Sequence, residues 1–140
     1  VSRPQEFRIY KVWFYAAAIY NVLWGIPTIL WPRQVFALTG YPLDRYPALF
    51  QCIGMMVAVY GLGYYYLAVN PKRFAPYIWV GLLGKTCGPI GLVWVASHGE
   101  LPWRFGYFVI INDLIWWPVF WSFALKHARG PLREPSNREP

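Results

Sequence analysis

The chain has 140 residues with a formal net charge of +7, and 57% of it is hydrophobic, 21% aromatic and only 14% charged. A soluble domain of this size would need more charge to cover its surface and would not need 9 Trp, 11 Tyr and 9 Phe, so the composition is that of a membrane protein. A nucleic-acid partner is excluded as well, because no basic stretch is interleaved with a soluble binding fold.

An N-terminal arm over residues 1–9 precedes the first apolar stretch, 10–31. That stretch is too long for a cleavable signal peptide, and no small-residue cleavage site follows it, so it reads as a span. Ala17, Asn21, Gly25 and Thr28 recur on one face at about 100° per residue. The connection opens with Trp31-Pro32-Arg33. The second span, 47–69, carries Gln51, Gly54, Ala58 and Gly61 on one face, with Gly63 off that arc. Tyr64, Tyr65 and Tyr66 near its end are expected at the membrane interface. After Asn70-Pro71-Lys72-Arg73, the third span, 76–97, places Gly81, Gly84, Gly88 and Gly91 on one arc with Lys85 beside them. His98-Gly99-Glu100-Leu101-Pro102 leads to the fourth span, 103–126, read as one continuous helix in which Asp113 shares a side with Gly106, Val109, Trp117 and Phe120. A Pro-, Arg- and Glu-rich tail over 130–140 is expected to be extended or disordered.

Each span is near the ~20 residues that cross about 30 Å of hydrocarbon. The fold class predicted is therefore all-α, a bundle of four transmembrane helices over 10–129. Arg3, Arg8, Lys11, Lys72, Arg73, Lys126, Arg129, Arg133 and Arg138 fall on one side if the spans alternate, and only Arg33, Arg45 and Arg104 on the other. The positive-inside rule then places both termini in the cytoplasm. Trp13, Trp31, Trp79, Trp103 and Trp121 lie near span ends, where indole favours the headgroup region.

Lipid gives helices no hydrophobic reason to associate, so small residues and polar groups must hold them together. Gly54, Ala58, Gly61, Gly81, Gly84, Gly88 and Gly91 are the packing positions expected. Asn21, Gln51, Lys85, Asn112 and Asp113 form the expected intramembrane polar cluster. A charge at mid-bilayer costs roughly 2.5–3.5 kcal/mol on insertion scales, so Lys85 and Asp113 are expected to meet, as a structural pair or as a proton, ion or ligand site. Pro27, Pro89 and Pro118 each remove a backbone hydrogen bond, and for Pro89 the carbonyl set free is that of Lys85, so a polar cavity is expected at that kink.

Cys52 and Cys87 lie in separate spans with no CxxC, which argues against a membrane thiol oxidoreductase. His98 and His127 fall on opposite sides and make no metal site. No Ser/His/Asp set or carboxylate pair is present for hydrolytic chemistry.

One set of motifs is similar to a known group: Tyr20-Asn21 with Trp24-Gly25, Gln51-Cys52-Ile53-Gly54 with Tyr60-Gly61-x-Gly63-Tyr64, Gly81-Leu82-Leu83-Gly84-Lys85 with Gly88-Pro89-Ile90-Gly91, and Asn112-Asp113-Leu114-Ile115-Trp116-Trp117. Together, over roughly residues 10–126, they resemble small bacterial four-helix membrane proteins of the DoxX-like group. The resemblance implies fold, a place in the bacterial cytoplasmic (inner) membrane, and association with quinone-coupled redox systems as a partner of other subunits. Some such proteins carry an alkyl hydroperoxide reductase label, but neither cysteine here has the polar, accessible surroundings that a peroxidatic thiol needs.

The function expected is that of a non-catalytic accessory or stabilising subunit of a larger membrane complex, respiratory or photosynthetic. The alternative is a small quinone-linked redox or transport protein that uses the Lys85 and Asp113 site. No tightly bound cofactor is expected, while contact with a quinone, pigment or lipid stays open. The partners expected are the bilayer and other integral membrane subunits.

Overall fold

A computed structural model describes residues 4–40 and 47–129, helices joined by turns and short irregular links, with no strand among them. Arg3, Arg45 and the tail over 130–140 lie outside the described residues. Four helical segments are long and apolar enough to cross a membrane: Phe7–Leu30, Pro47–Val69, Tyr77–Ser97 and Trp103–His127. The first helix, α1 (Pro4–Leu30), starts within the expected arm. A short helix not foreseen in the sequence, α2 (Pro32–Ala37), follows it, with Pro32 at the helix start, where the missing N–H costs nothing.

Helix α3 (Pro47–Val69) returns against α1 in the closest pairing of the fold. The seam is made of the small residues that share a face in each span. A Cβ on Gly25 would lie 2.7 Å from the Gly54 carbonyl oxygen, and one on Gly54 would lie 2.9 Å from the Gly25 carbonyl. Gly61 similarly meets the backbone of Ala18 and the side chain of Asn21, each at 3.1 Å. Backbones this close exchange dispersion over their whole length, which is what drives helix pairing in lipid. Two side-chain hydrogen bonds pin the seam: Asn21 Nδ2 donates to the Val57 carbonyl at 3.2 Å, and Gln51 Nε2 to the Ile29 carbonyl at 2.7 Å.

Helix α4 (Tyr77–Ser97) ends in a Schellman motif. Gly99, at φ +75°, donates to the Ala96 carbonyl and Glu100 to the Val95 carbonyl. Its glycines do not serve as the sequence suggests. Gly81 receives the ring of Tyr64, Gly84 the ring of Tyr60, and Gly88 the carboxylate of Asp113, so the arc is a row of sockets for side chains from other helices. Gly91 is exposed, with nothing among the described residues within 4 Å of where its Cβ would stand; it takes no part in packing. Gly63, expected off the packing face, instead lies against the ring of Tyr77.

The fourth span is broken. A 3₁₀ turn over Trp103–Phe105 leads into α5 (Gly106–Asn112), a second 3₁₀ turn spans Leu114–Trp116, and α6 (Trp117–His127) completes the crossing. Pro118 explains the position of the break. Its ring clashes with the carbonyl four residues back and it has no N–H to donate, so the chain before it tightens and a new helix starts. Asp113, at φ −122° and ψ −58°, is the residue that leaves the helix.

The dry core fills the end of the bundle that carries Lys72 and Arg73. There Phe14 meets Phe123 and Phe120 edge-on at 4.9 and 5.7 Å, and Tyr64 meets Phe120 at 5.1 Å. Tyr10 and Ser122 share a hydrogen bond of 2.8 Å that ties α1 to α6. Tyr64 is thus a fully buried core residue and not an interfacial one, whereas Tyr65 and Tyr66 remain exposed. The reason is helical phase: Tyr64 follows Gly61 and precedes Leu67 and Ala68 on the inward stripe, and its neighbours are turned about 100° away.

Candidate functional site

The helix break creates the site. In an unbroken α-helix the Trp116 N–H would donate to the Asn112 carbonyl, but it turns to the Asp113 carbonyl at 3.3 Å. The Asn112 carbonyl is left to an outside donor, and the Lys85 ammonium from α4 supplies it. The same ammonium lies 3.5 Å from Asp113 Oδ1, which also accepts from Asn112 Nδ2 at 2.8 Å. It sits at the C-terminal end of α5, where a positive charge is favoured. A second tie runs the other way. Pro89 deprives the Lys85 carbonyl of its helical partner, and Trp117 Nε1 donates to that carbonyl at 3.3 Å.

Lys85 and Asp113 are both buried, at 4% and 6% exposure. Isolated charges at this depth would be prohibitive, so their proximity and the added hydrogen bonds are what make their burial tolerable. The Lys85 ammonium also lies 5.9 Å from the centre of the Tyr64 ring, within range of a cation–π contact.

Beside the pair lies a cavity of about 500 Å³ between α3 and α4, within the ~300–1,000 Å³ that small-molecule sites occupy. Its inner wall includes Asn21, Tyr60, Tyr64, Lys85, Asn112 and Asp113. Ile53, Met56 and Leu83 also line it, and these are 49%, 62% and 66% exposed. Cys87, exposed as well, lies with them. The mouth therefore opens sideways on the apolar surface of the bundle, and the polar groups stand within.

Of the residues expected in a polar cluster, four line this cavity: Asn21, Lys85, Asn112 and Asp113. Gln51 does not, being committed to the Ile29 carbonyl along the α1–α3 seam. Tyr60 and Tyr64 were not anticipated as lining residues; the signal for them is their spacing of four on α3, which brings them onto the face opposite Gly84 and Gly81. Among the described residues, Asn21 Oδ1, Tyr64 OH and Asn112 Oδ1 are buried without a hydrogen-bond partner, and all three residues line the cavity. Such atoms are rare in finished cores and mark places where a group from elsewhere can be received. No cluster of three His, Cys, Asp or Glu side chains suited to a metal ion occurs among the described residues.

Compared with known proteins, the chain matches no family model, no curated protein and no solved structure.

Proposed function

We propose that this chain is a protein of the bacterial cytoplasmic membrane that takes a small lipid-soluble molecule with a polar head into the cavity between α3 and α4, and holds it there beside a larger membrane complex without transforming it. The observation that carries this reading is the cavity itself: an apolar mouth formed by Ile53, Met56 and Leu83, and an inner wall with Lys85, Asp113, Asn21 and Asn112. A guest diffusing in the bilayer meets the mouth without crossing water, and its head finds hydrogen-bonding groups inside. Quinone, pigment and lipid are the classes this geometry admits, and the DoxX-like motif resemblance favours the first. The accessory role keeps its support from the aromatic outer surface, where Trp94, Trp103 and Tyr107 are exposed.

The test is co-purification. Protein extracted from its native membrane in mild detergent should carry one small lipid-soluble compound, near one per chain, in the organic extract read by mass spectrometry. Met56→Trp narrows the mouth and should deplete it, whereas Met55→Trp, an exposed neighbour that does not line the cavity, should retain it. Only bulk lipid, equal in all three preparations, would remove the support for a binding site.

The orientation proposed has both termini in the cytoplasm, resting on the basic residues Arg8, Lys11, Lys72, Arg73, Lys126 and Arg129 at one end of the spans. Reporter fusions after residue 140 and near Gly99 are expected to report opposite sides, the first cytoplasmic. A periplasmic C-terminus would reverse the orientation.

A further inference from the structure

The head group that this cavity prefers follows from which of its polar atoms are already engaged. Asn21 donates through Nδ2 to the Val57 carbonyl, and Asn112 donates through Nδ2 to Asp113 Oδ1. Turning either amide over would set its oxygen against another oxygen, so these bonds fix which way each amide points. The remaining oxygens, Asn21 Oδ1 and Asn112 Oδ1, can only accept, and neither has a donor among the described residues. Asn21 is 2% exposed and Tyr64 fully buried, and the Tyr64 hydroxyl is likewise without a partner.

The Tyr64 hydroxyl can donate or accept and so does not distinguish one kind of head from another, whereas the two amide oxygens do. Lys85 directs its ammonium to the Asn112 carbonyl and to Asp113. The two charges offset each other, so the cavity has no net charge with which to draw in an ionic head. An acidic head would have to displace Asp113 from Lys85, and a cationic one would have to displace Lys85 from Asp113. Either exchange leaves a charge buried in the bilayer.

Building on the ligand-binding reading above, we propose that the cavity between α3 and α4 selects a neutral amphiphile whose head donates a hydrogen bond, a phenol or alcohol, over one of the same shape whose oxygen can only accept. The head would meet the amide oxygens of Asn21 and Asn112, with the Tyr64 hydroxyl beside them, and the apolar remainder would leave through the mouth at Met56 and Leu83. Among ring carriers, the hydroxyl form would be the better guest and the carbonyl form the poorer one. An amide oxygen kept from a donor in a low-dielectric site is costly, which is why a site built to hydrogen-bond an OH discriminates strongly against the analogue that lacks it.

The test uses 4-nonylphenol and its methyl ether, 4-nonylanisole, with the full-length protein in phosphatidylcholine nanodiscs, bound probe being counted by native mass spectrometry after release. The phenol is expected to bind at least about tenfold more tightly than the ether, and Met56→Trp to abolish the difference. In Asn112→Ala the preference is expected to shrink, and the wild-type comparison of the two probes stands even if that variant fails to fold. Equal affinities for the two probes, both lost in Met56→Trp, would overturn the donor-head assignment while leaving the cavity a binding site. If neither probe shows binding that depends on Met56, the ligand-binding reading falls, and the head-group assignment with it.

Discussion

Gly25→Leu and Gly54→Leu should each leave little folded protein after extraction, a larger loss than leucine at Gly84 or Gly91 of the third span. A Cβ on Gly25 would sit 2.7 Å from one backbone atom of α3 and 2.8 Å from another, the Gly54 carbonyl oxygen and the Ala58 nitrogen. Overpacking an ordinary core costs about 1–3 kcal/mol because neighbouring side chains can rotate away. Backbone cannot do so, and here the helices would have to separate along the seam that Asn21 and Gln51 pin on either side of Gly25. Gly91→Leu supplies the control, since nothing among the described residues stands within 4 Å of its Cβ position. Thermal unfolding in detergent should place Gly91→Leu near the parent and the two seam variants far below it. A Gly91→Leu loss as large as theirs would mean that the tight approach of α1 and α3 is not what holds the bundle.

The second large effect concerns the buried pair. Lys85→Met leaves the Asp113 carboxylate without its cation and the Asn112 carbonyl without its donor; Asp113→Leu leaves a buried ammonium with one partner fewer. Breaking a buried pair from one side costs about 3–5 kcal/mol, and removing both charges together often restores most of it. The double variant Lys85→Met with Asp113→Leu is therefore expected to be markedly more stable than the sum of the single losses implies. Strict additivity of the two losses would show that the residues do not act as partners. A double variant that folds well yet no longer carries the co-purified compound would assign the pair to the binding site as well as to the fold.

The four spans are legible in the sequence because length and hydropathy are averaged properties, and about twenty apolar residues outweigh one charge. The faces of α1 and α3 are legible for a related reason. Gly25, Thr28, Gly54, Ala58 and Gly61 recur at helical spacing, and small residues on two neighbouring spans have each other as the simplest partner. The glycines of α4 carry the same periodicity, but a stripe of small residues does not say whether a backbone or an aromatic ring will fill it. Tyr60 and Tyr64 fill it here, one helix away and too distant in sequence to be matched to it.

The break at Asp113 is hidden by the averaging that makes the spans visible. Its local signals are weak: two poor helix formers in tandem, Asn112 and Asp113, followed five residues later by Pro118. Pro89 is the opposite case, since its consequence for the Lys85 carbonyl follows from covalent geometry alone. What the sequence could not supply is the donor that answers that carbonyl, Trp117 Nε1. A polar cavity beside Lys85 is foreshadowed by the Pro89 kink, but its walls on α3 and its sideways mouth are not, because they arise where α3 and α4 fail to close on one another, a property of the whole packing.

Cys87 stands at the mouth of that cavity, which gives the most direct way to ask what enters it. A benzophenone-bearing amino acid incorporated in place of Cys87 by amber suppression can be activated by light in the native membrane, and the product weighed by mass spectrometry. The account predicts an adduct with one small lipid-soluble molecule, suppressed when Met56→Trp narrows the mouth. Adducts only with bulk phospholipid in proportion to its abundance, or only with another polypeptide, would contradict it.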